Sequence, residues 1–173
     1  STQGIYTLEL ERVFVELSIA PRPIHETTTD PIQALPKGAR RGQTIWSYLN
    51  LEPLAHQDLV VIGPPGCGKT TLLKHMVLTL TAGRKLRKRW RAQDKWPILL
   101  FLRDHAKAIQ EDRNLSLAQV VANDLARWNL HAPVGWFESR LERGRCLVLL
   151  DGLDEVADSE ARREVVAWVQ RQM

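Results

Sequence analysis

Three carboxylates stand close together behind an apolar run in the last quarter of this 173-residue chain. Residues 146–150, Cys-Leu-Val-Leu-Leu, are followed within five positions by Asp151, Asp154 and Glu155. Like charges repel, so a turn that crowds them at the end of a predicted strand is costly without a compensating partner. Hard divalent cations take carboxylate oxygens as ligands. The pattern therefore raises the question of which cation the rest of the chain places there.

A glycine-rich segment answers that question. Residues 63–70, GPPGCGKT, satisfy the pattern G-x-x-x-x-G-K-[ST] between a predicted strand and a predicted helix. Glycines allow backbone N–H groups to wrap closely around phosphate, and the following helix directs its positive end to the same anion. The segment predicts a nucleotide phosphate site formed by Gly63, Pro64, Pro65, Gly66, Cys67, Gly68, Lys69, Thr70 and Thr71.

A bound nucleoside triphosphate brings Mg²⁺ and gives the carboxylates a role. Thr70 offers a hydroxyl to the metal, and Asp151 at a strand end is the predicted carboxylate ligand. Lys69 can stabilise the transferred charge, while Asp154 and Glu155 can orient or deprotonate the attacking water. The longer side chain favours Glu155 as the base, with Asp154 as its rival. The alternative is that these two residues only cap a loop or a helix start.

The amino-acid composition limits the classes of protein to which this chain can belong. Apolar residues make up 44% and charged residues 25%, as is ordinary for a globular protein. No apolar run approaches the roughly 18 residues of a membrane span, and Cys67 and Cys146 suggest no disulfide framework. We expect a cytoplasmic protein without membrane contact. The start at Ser1 and the helical pattern up to Met173 lead us to expect a piece of a longer protein.

The hydrophobic periodicity indicates strands and helices that alternate along the chain. This order predicts an α/β fold with a mainly parallel sheet. The helix after the glycine-rich segment has Leu72, Leu73, Met76, Val77 and Leu80 on one face. Trp128, Trp136 and Trp168 fall at core-like helical positions and are expected to pack rather than bind, and His105 is expected to be structural rather than catalytic. The predicted strands are residues 10–19, 59–62, 96–102 and 146–150. Three predicted helices are residues 44–54, 69–81 and 136–143, the last of which is stopped by Gly144. Two more helices are predicted from their starts, one at a capping box formed by Ser116 and Gln119 and one at a cap formed by Asp158 or Ser159.

One basic segment leaves two interpretations open. Residues 83–91 carry six cations around Leu86 and Trp90. The first interpretation is a nucleic-acid surface on which Trp90 stacks. The second, which we favour, is a solvated helix end and loop, because charge runs usually face water.

Taken together, these motifs resemble the NACHT family of P-loop NTPases, in the STAND class of signalling ATPases. The family pattern of an apolar run, Asp, a small residue, an apolar residue and an acidic pair is similar to residues 146–155. Residues 63–73, GPPGCGKTTLL, and 96–104, WPILLFLRD, resemble its phosphate loop and second strand. The likeness covers roughly residues 58–158 and predicts a lead-in strand and linker at 1–43 before a domain at 44–173.

The resemblance implies a three-layer αβα sandwich that binds ATP or ADP with Mg²⁺. It also implies a nucleotide-controlled switch for homo-oligomerisation, with sensor and effector domains outside this chain and, for bacterial members, a role in defence against phage. The family's sensor-arginine strand lies beyond the matched motifs, so we expect an incomplete sheet and doubtful hydrolysis by this chain. Two alternatives stay open: a nucleic-acid-dependent ATPase, and an assembly module that binds nucleotide without hydrolysing it.

Overall fold

The computed structural model describes residues 14, 17, 19, 43–49, 58–81 and 95–173. These residues fall into two compact units, one within Ser1–Gln93 and one within Asp94–Met173, and each unit is described by itself. Most of the predicted strand 10–19, residues 50–54 of a predicted helix and the whole basic segment 83–91 lie outside the described residues.

In the first unit, hydrogen bonds connect helix α1 (Ile45–Leu49) and the residue before its N-terminal turn, Gln43, to Ile19. Ile19 and Gln43 form an antiparallel bridge, with N–H to carbonyl distances of 2.8 and 3.0 Å. The Tyr48 hydroxyl donates to the Ile19 carbonyl at 2.8 Å, and Tyr48 is buried. These bonds satisfy the backbone groups of Ile19 and fix α1 beside it.

Helix α2 (Lys69–Thr81) has the bounds that the sequence predicts. Leu72, Met76 and Leu80 recur every four residues and are buried, because positions four apart lie on one helical face. The ring of Phe14 stacks on His75 with 3.6 Å between the ring centroids. The predicted apolar face is therefore confirmed and holds the helix that follows the glycine-rich segment.

The predicted strand at residues 59–62 is wrong. This stretch forms no strand in the described part of the first unit, and Val60 and Ile62 are 79% and 67% exposed. A strand is stabilised by ladder bonds to a neighbour, which a local apolar run cannot specify.

The second unit is built on two parallel strands, β1 (Trp96–Phe101) and β2 (Cys146–Asp151). Trp96 lies opposite Cys146, and Phe101 lies opposite Asp151. Parallel neighbours require a long crossover, which here contains helices α3 (Leu102–Glu111), α4 (Leu117–Ala126) and α5 (Trp136–Glu142). Helix α6 (Ser159–Gln172) follows β2. This parallel pairing confirms the α/β class.

The core of the second unit lies between the strands and these helices. Trp168 of α6 is buried, and its indole N–H donates to the Leu115 carbonyl at 2.6 Å. A buried indole needs such an acceptor, so the bond also fixes the loop before α4. The largest fully buried side chains of this unit are Trp168, Ile109, Val120 and Val165.

The helix ends follow the predicted signals. Ser116 accepts from the Gln119 N–H at 3.2 Å, and the Gln119 side chain accepts from the Ser116 N–H at 2.8 Å, which completes the capping box. Of the two candidate caps for α6, Asp158 is the one that accepts the Ala161 N–H, at 2.7 Å. Gly144 follows α5 with a φ of +61°.

Two further predictions are corrected. Strand β1 ends at Phe101, because Leu102 already begins α3, a helix that the sequence pattern did not predict. Trp128 is 73% exposed rather than in the core, since α4 ends at Ala126 and Asn129 (φ +56°) turns the chain away. Among the described helices, none is long and apolar enough to cross a membrane.

Candidate functional site

The glycine-rich loop precedes α2 in the first unit. Gly66 and Gly68 have φ angles of +74° and +92°, in the left-handed region that other residues rarely adopt. The Cys67 N–H donates to the Pro64 carbonyl at 3.3 Å and closes the turn between them. The two glycines are therefore required by the backbone conformation of the loop.

Gly63 is favoured for a different reason. A Cβ atom added at Gly63 would lie 2.7 Å from the Cys67 Sγ, well inside van der Waals contact. The sequence indicated only that Cys67 is a small residue within the loop. The structure shows that its sulfur lies against the bare Cα of Gly63, a packing relation across four residues that the motif alone does not reveal.

Lys69 carries the positive charge of this loop. Its ammonium donates to the Gly63 carbonyl at 2.8 Å and to the Pro64 carbonyl at 3.2 Å. The side chain thus folds back from the start of α2 over the beginning of the loop. The predicted phosphate ligand therefore lies beside the backbone that would surround the phosphate.

The start of α2 supplies further donors. The first helical bond runs from the Leu72 N–H to the Gly68 carbonyl at 2.8 Å, so the N–H groups of residues 69–71 have no acceptor within the helix. The helix macrodipole adds positive potential at this end. No carboxylate occurs in residues 59–81, and Thr70 contributes a half-buried hydroxyl. The donor set fits the phosphates of a nucleotide, with one oxygen suitable for Mg²⁺.

The acidic turn belongs to the second unit and begins where β2 ends. Asp151 is the last residue of β2 and is half-buried. Gly152 then turns the chain with a φ of +75°, and the Glu155 N–H donates to the Gly152 carbonyl at 3.2 Å. The turn separates Asp151 on the strand from Asp154 and Glu155, which are both exposed.

Glu155 is already engaged by a cation. The Arg103 guanidinium forms an ion pair with the Glu155 carboxylate, and its Nε lies 3.4 Å from the Asp104 carboxylate. Arg103 follows β1, whose carboxyl end lies beside that of β2, so the parallel pairing brings the two residues together. In the sequence analysis Arg103 is part of the motif at residues 96–104, but no role is predicted for it. Its place just after a parallel strand was the available signal.

Asp154 has a different environment. Its carbonyl and that of Val156 accept from Arg162 of α6, at 3.5 and 2.7 Å, so α6 holds the backbone of the turn. In the described ranges, no group of three or more His, Cys, Asp or Glu side chains could hold a metal ion together. Within these ranges Asp151, at the strand end, is therefore not part of such a cluster.

The comparisons with known proteins agree with these motifs. A family model described as NACHT domain matches residues 57–172, a range that includes both the glycine-rich loop and the acidic turn. Neither the curated proteins nor the solved structures compared with this chain gave a match. Because the family model covers more than half of the sequence, the chain belongs to the NACHT domain family of P-loop NTPases.

Proposed function

We propose that this chain binds ATP or ADP with Mg²⁺ and that the bound nucleotide switches the assembly of a larger signalling protein. The observation that carries the proposal is the loop at residues 63–70. Its two left-handed glycines, its lysine and the N–H groups at the start of α2 that have no acceptor within the helix make a cradle for anionic oxygens. Family membership supports the nucleotide as the anion.

Each predicted site residue has a part in this proposal. Lys69 and the N–H groups of residues 69–71 bind phosphate oxygens, and Thr70 and Asp151 are the protein ligands of Mg²⁺. Bound there, the metal neutralises charge on the phosphate oxygens. Lys69 exchanges its two carbonyl acceptors for phosphate, and this exchange is favourable because an anionic oxygen attracts the ammonium more strongly than a neutral carbonyl does.

We further propose that nucleotide is held rather than turned over quickly. Glu155 is the favoured base and Asp154 its rival, but the Arg103 guanidinium occupies the Glu155 carboxylate. While the pair is intact, one of the two Glu155 carboxylate oxygens is bound to Arg103, and only the other is open to a water molecule. This pair favours a slow switch over a fast hydrolase and keeps the non-hydrolysing assembly module as the second candidate.

The remaining parts of the proposal follow from the family alone. They are a homo-oligomeric active state, sensor and effector domains, a cytoplasmic location and a role in defence. The nucleic-acid-dependent ATPase was based on residues 83–91, which lie outside the described residues.

Titration calorimetry with ATP and ADP in the presence of Mg²⁺ tests the central claim. Lys69→Ala removes the loop cation and should weaken binding at least about tenfold, as expected for the loss of a charge-assisted contact. Lys107→Ala removes the same charge from an exposed residue of α3 and should leave affinity unchanged. Equal affinity of Lys69→Ala and the parent chain, or no binding by the folded parent, would refute the proposal. Sedimentation with ATP and with ADP then tests whether assembly follows the nucleotide.

A further inference from the structure

A second basic site lies at the opposite end of the strands from Asp151. A pocket of about 160 Å³ is lined by Trp136, Ser139, Arg140, Arg143 and Arg145, and we call it the arginine pocket. Arg145 lies directly before β2, and its carbonyl accepts the N–H of Trp96, the first residue of β1, at 2.8 Å. The arginine pocket is therefore at the amino ends of both strands.

Helical spacing explains why these side chains converge. Trp136, Ser139, Arg140 and Arg143 stand at positions i, i+3, i+4 and i+7, which share one face of a helix. After α5, the Gly144 N–H donates to the Leu141 carbonyl and the Arg145 N–H to the Arg140 carbonyl, both at 2.9 Å. These two bonds form a Schellman motif around Gly144, which folds Arg145 back toward Arg140.

The arginine pocket holds more positive charge than its surroundings neutralise. Arg140, Arg143 and Arg145 make no ion pair with any described residue, and neither do Glu138 and Glu142 on the same helix. The carboxyl end of α5 contributes only about half a negative charge, against three full positive charges. An anion at this site would relieve the repulsion among the guanidiniums.

Neighbouring groups extend the positive field beyond the arginine pocket. Burial raises the pKa of the Cys146 thiol, and the charges of Arg140 and Lys95 oppose that rise. Cys146 lies opposite Trp96 in the sheet, so Lys95 and Arg140 act on the same strand ends. Lys95, directly before β1, therefore adds a fourth cation near the amino ends of the strands.

Two aromatic rings lie beside the guanidinium of Arg140. The Arg140 guanidinium is 4.2 Å from the centroid of the Trp136 ring and 5.0 Å from that of Trp96. The two indoles meet edge to face at 5.3 Å, and Trp96 is 49% exposed. An exposed indole next to unpaired guanidiniums offers a stacking surface and phosphate ligands together.

We propose that the arginine pocket and Trp96 bind single-stranded nucleic acid. The guanidiniums bind phosphate oxygens of the backbone, and the exposed ring of Trp96 stacks on an unpaired base. A free phosphate would use the arginine pocket and make no use of the exposed surface of Trp96, whereas a duplex hides the faces of its bases. Alternating charge and ring contacts are the arrangement by which proteins hold single strands.

Fluorescence anisotropy of a labelled single-stranded DNA of about 16 nucleotides tests this proposal over a series of salt concentrations. Arg143→Gln/Arg145→Gln changes two exposed side chains and should lower the affinity at least about tenfold. It should also reduce the slope of log affinity against log salt by about 1.4, since each contact to a single strand contributes about 0.7. Trp96→Ala should lower the affinity by about tenfold with the slope unchanged.

The matched control is Lys107→Gln/Arg163→Gln, which removes the same charge from exposed positions of α3 and α6. Equal losses in this control and in Arg143→Gln/Arg145→Gln would overturn the proposal, because they would show a non-specific effect of net charge. It is overturned too if duplex DNA of the same length or tripolyphosphate binds as tightly as the single strand. Circular dichroism confirms that each variant is folded.

Discussion

At the scale of single residues, the glycine-rich loop depends on two different physical constraints. Gly66 and Gly68 are needed for their positive φ angles, whereas Gly63 is favoured because the Cys67 sulfur occupies the space of a Cβ. A backbone constraint cannot be relieved by a neighbour, but a steric one can. The two kinds of glycine should therefore respond differently to a change at position 67.

Gly63→Ala should lower the affinity for ATP and destabilise the loop by at most about 1 kcal/mol, because the added methyl group pushes the Cys67 sulfur aside. The double variant Gly63→Ala/Cys67→Ala removes that sulfur and should recover most of the loss. Calorimetry and thermal unfolding measure both quantities.

Gly68→Ala serves as the comparison, since its φ of +92° is unfavourable for alanine whatever occupies position 67. Cys67→Ala should not rescue it. Rescue of Gly68→Ala, or failure to rescue Gly63→Ala, would show that the close approach of Cys67 is not the constraint.

The Arg103–Glu155 pair gives a second prediction at this scale. Both side chains are about half exposed, at 52% and 47%, so the pair contributes no more than about 1 kcal/mol. Arg103→Gln should therefore raise the single-turnover rate of ATP hydrolysis by at most about fivefold, because Glu155 is released. Glu155→Gln should remove the increase in the double variant.

Arg113→Gln provides the control, because Arg113 forms an exposed pair with Glu164 in the same unit. Its rate should equal that of the parent chain. If Arg103→Gln instead lowers the rate to that of Glu155→Gln, Arg103 positions the carboxylate and does not restrain it.

At the scale of elements, the start of α6 fixes the acidic turn. Asp158 caps the helix, and Arg162 in its first turn bonds to the carbonyls of Asp154 and Val156. Asp158→Ala should lower the free energy of unfolding by about 1 kcal/mol, since an N–H at the helix start loses its acceptor. Urea unfolding measures the change. Ser159→Ala should have little effect, and an equal loss there would assign the cap to both residues.

The elements that the sequence predicts well are those determined by local signals. Helix α2 follows from apolar residues every three or four positions, and the start of α4 follows from the Ser116–Gln119 capping box. Asp151 at the end of β2 follows from an unbroken apolar run. Each of these signals lies within a few residues of the structure it specifies.

The features that the sequence did not predict correctly depend on contacts between distant parts of the chain. Residues 59–62 have the composition of a strand, but a strand also needs a paired neighbour. Helix α3 begins directly at the end of β1 without a turn residue, and its start at Leu102 has no side-chain cap. The partner of Glu155 could be identified only once β1 and β2 were known to be parallel.

At the scale of the whole molecule, the stability of the second unit depends on a titratable side chain, His105, within its core. His105 of α3 is 4% exposed, and its Nε2 lies 3.5 Å from the Asp124 carboxylate of α4. Burial lowers the pKa of His105 below its ordinary value of 6.5, and Arg127 acts in the same direction. Asp124 and Asp104 oppose the shift without reversing it. The folded unit therefore holds His105 neutral where the unfolded chain would protonate it.

This difference makes the stability of the second unit depend on pH. Below 6.5 and above the lower folded-state pKa, the unfolded chain binds a proton that the folded chain does not, so acidification favours unfolding. The stability linked to His105 is fully present above pH 6.5 and is lost as the pH falls through the folded-state pKa. Urea unfolding of the parent chain at a series of pH values should show this loss.

His105→Gln should flatten that part of the pH profile, because glutamine does not titrate. His131→Gln changes an exposed histidine of the same unit and should leave the profile as it is in the parent chain. If His105→Gln keeps the full slope, the pH dependence comes from other groups, and Asp124 and Asp104 become the next residues to change. If the slope disappears, the burial of His105 between α3 and α4 limits the pH range over which the second unit stays folded.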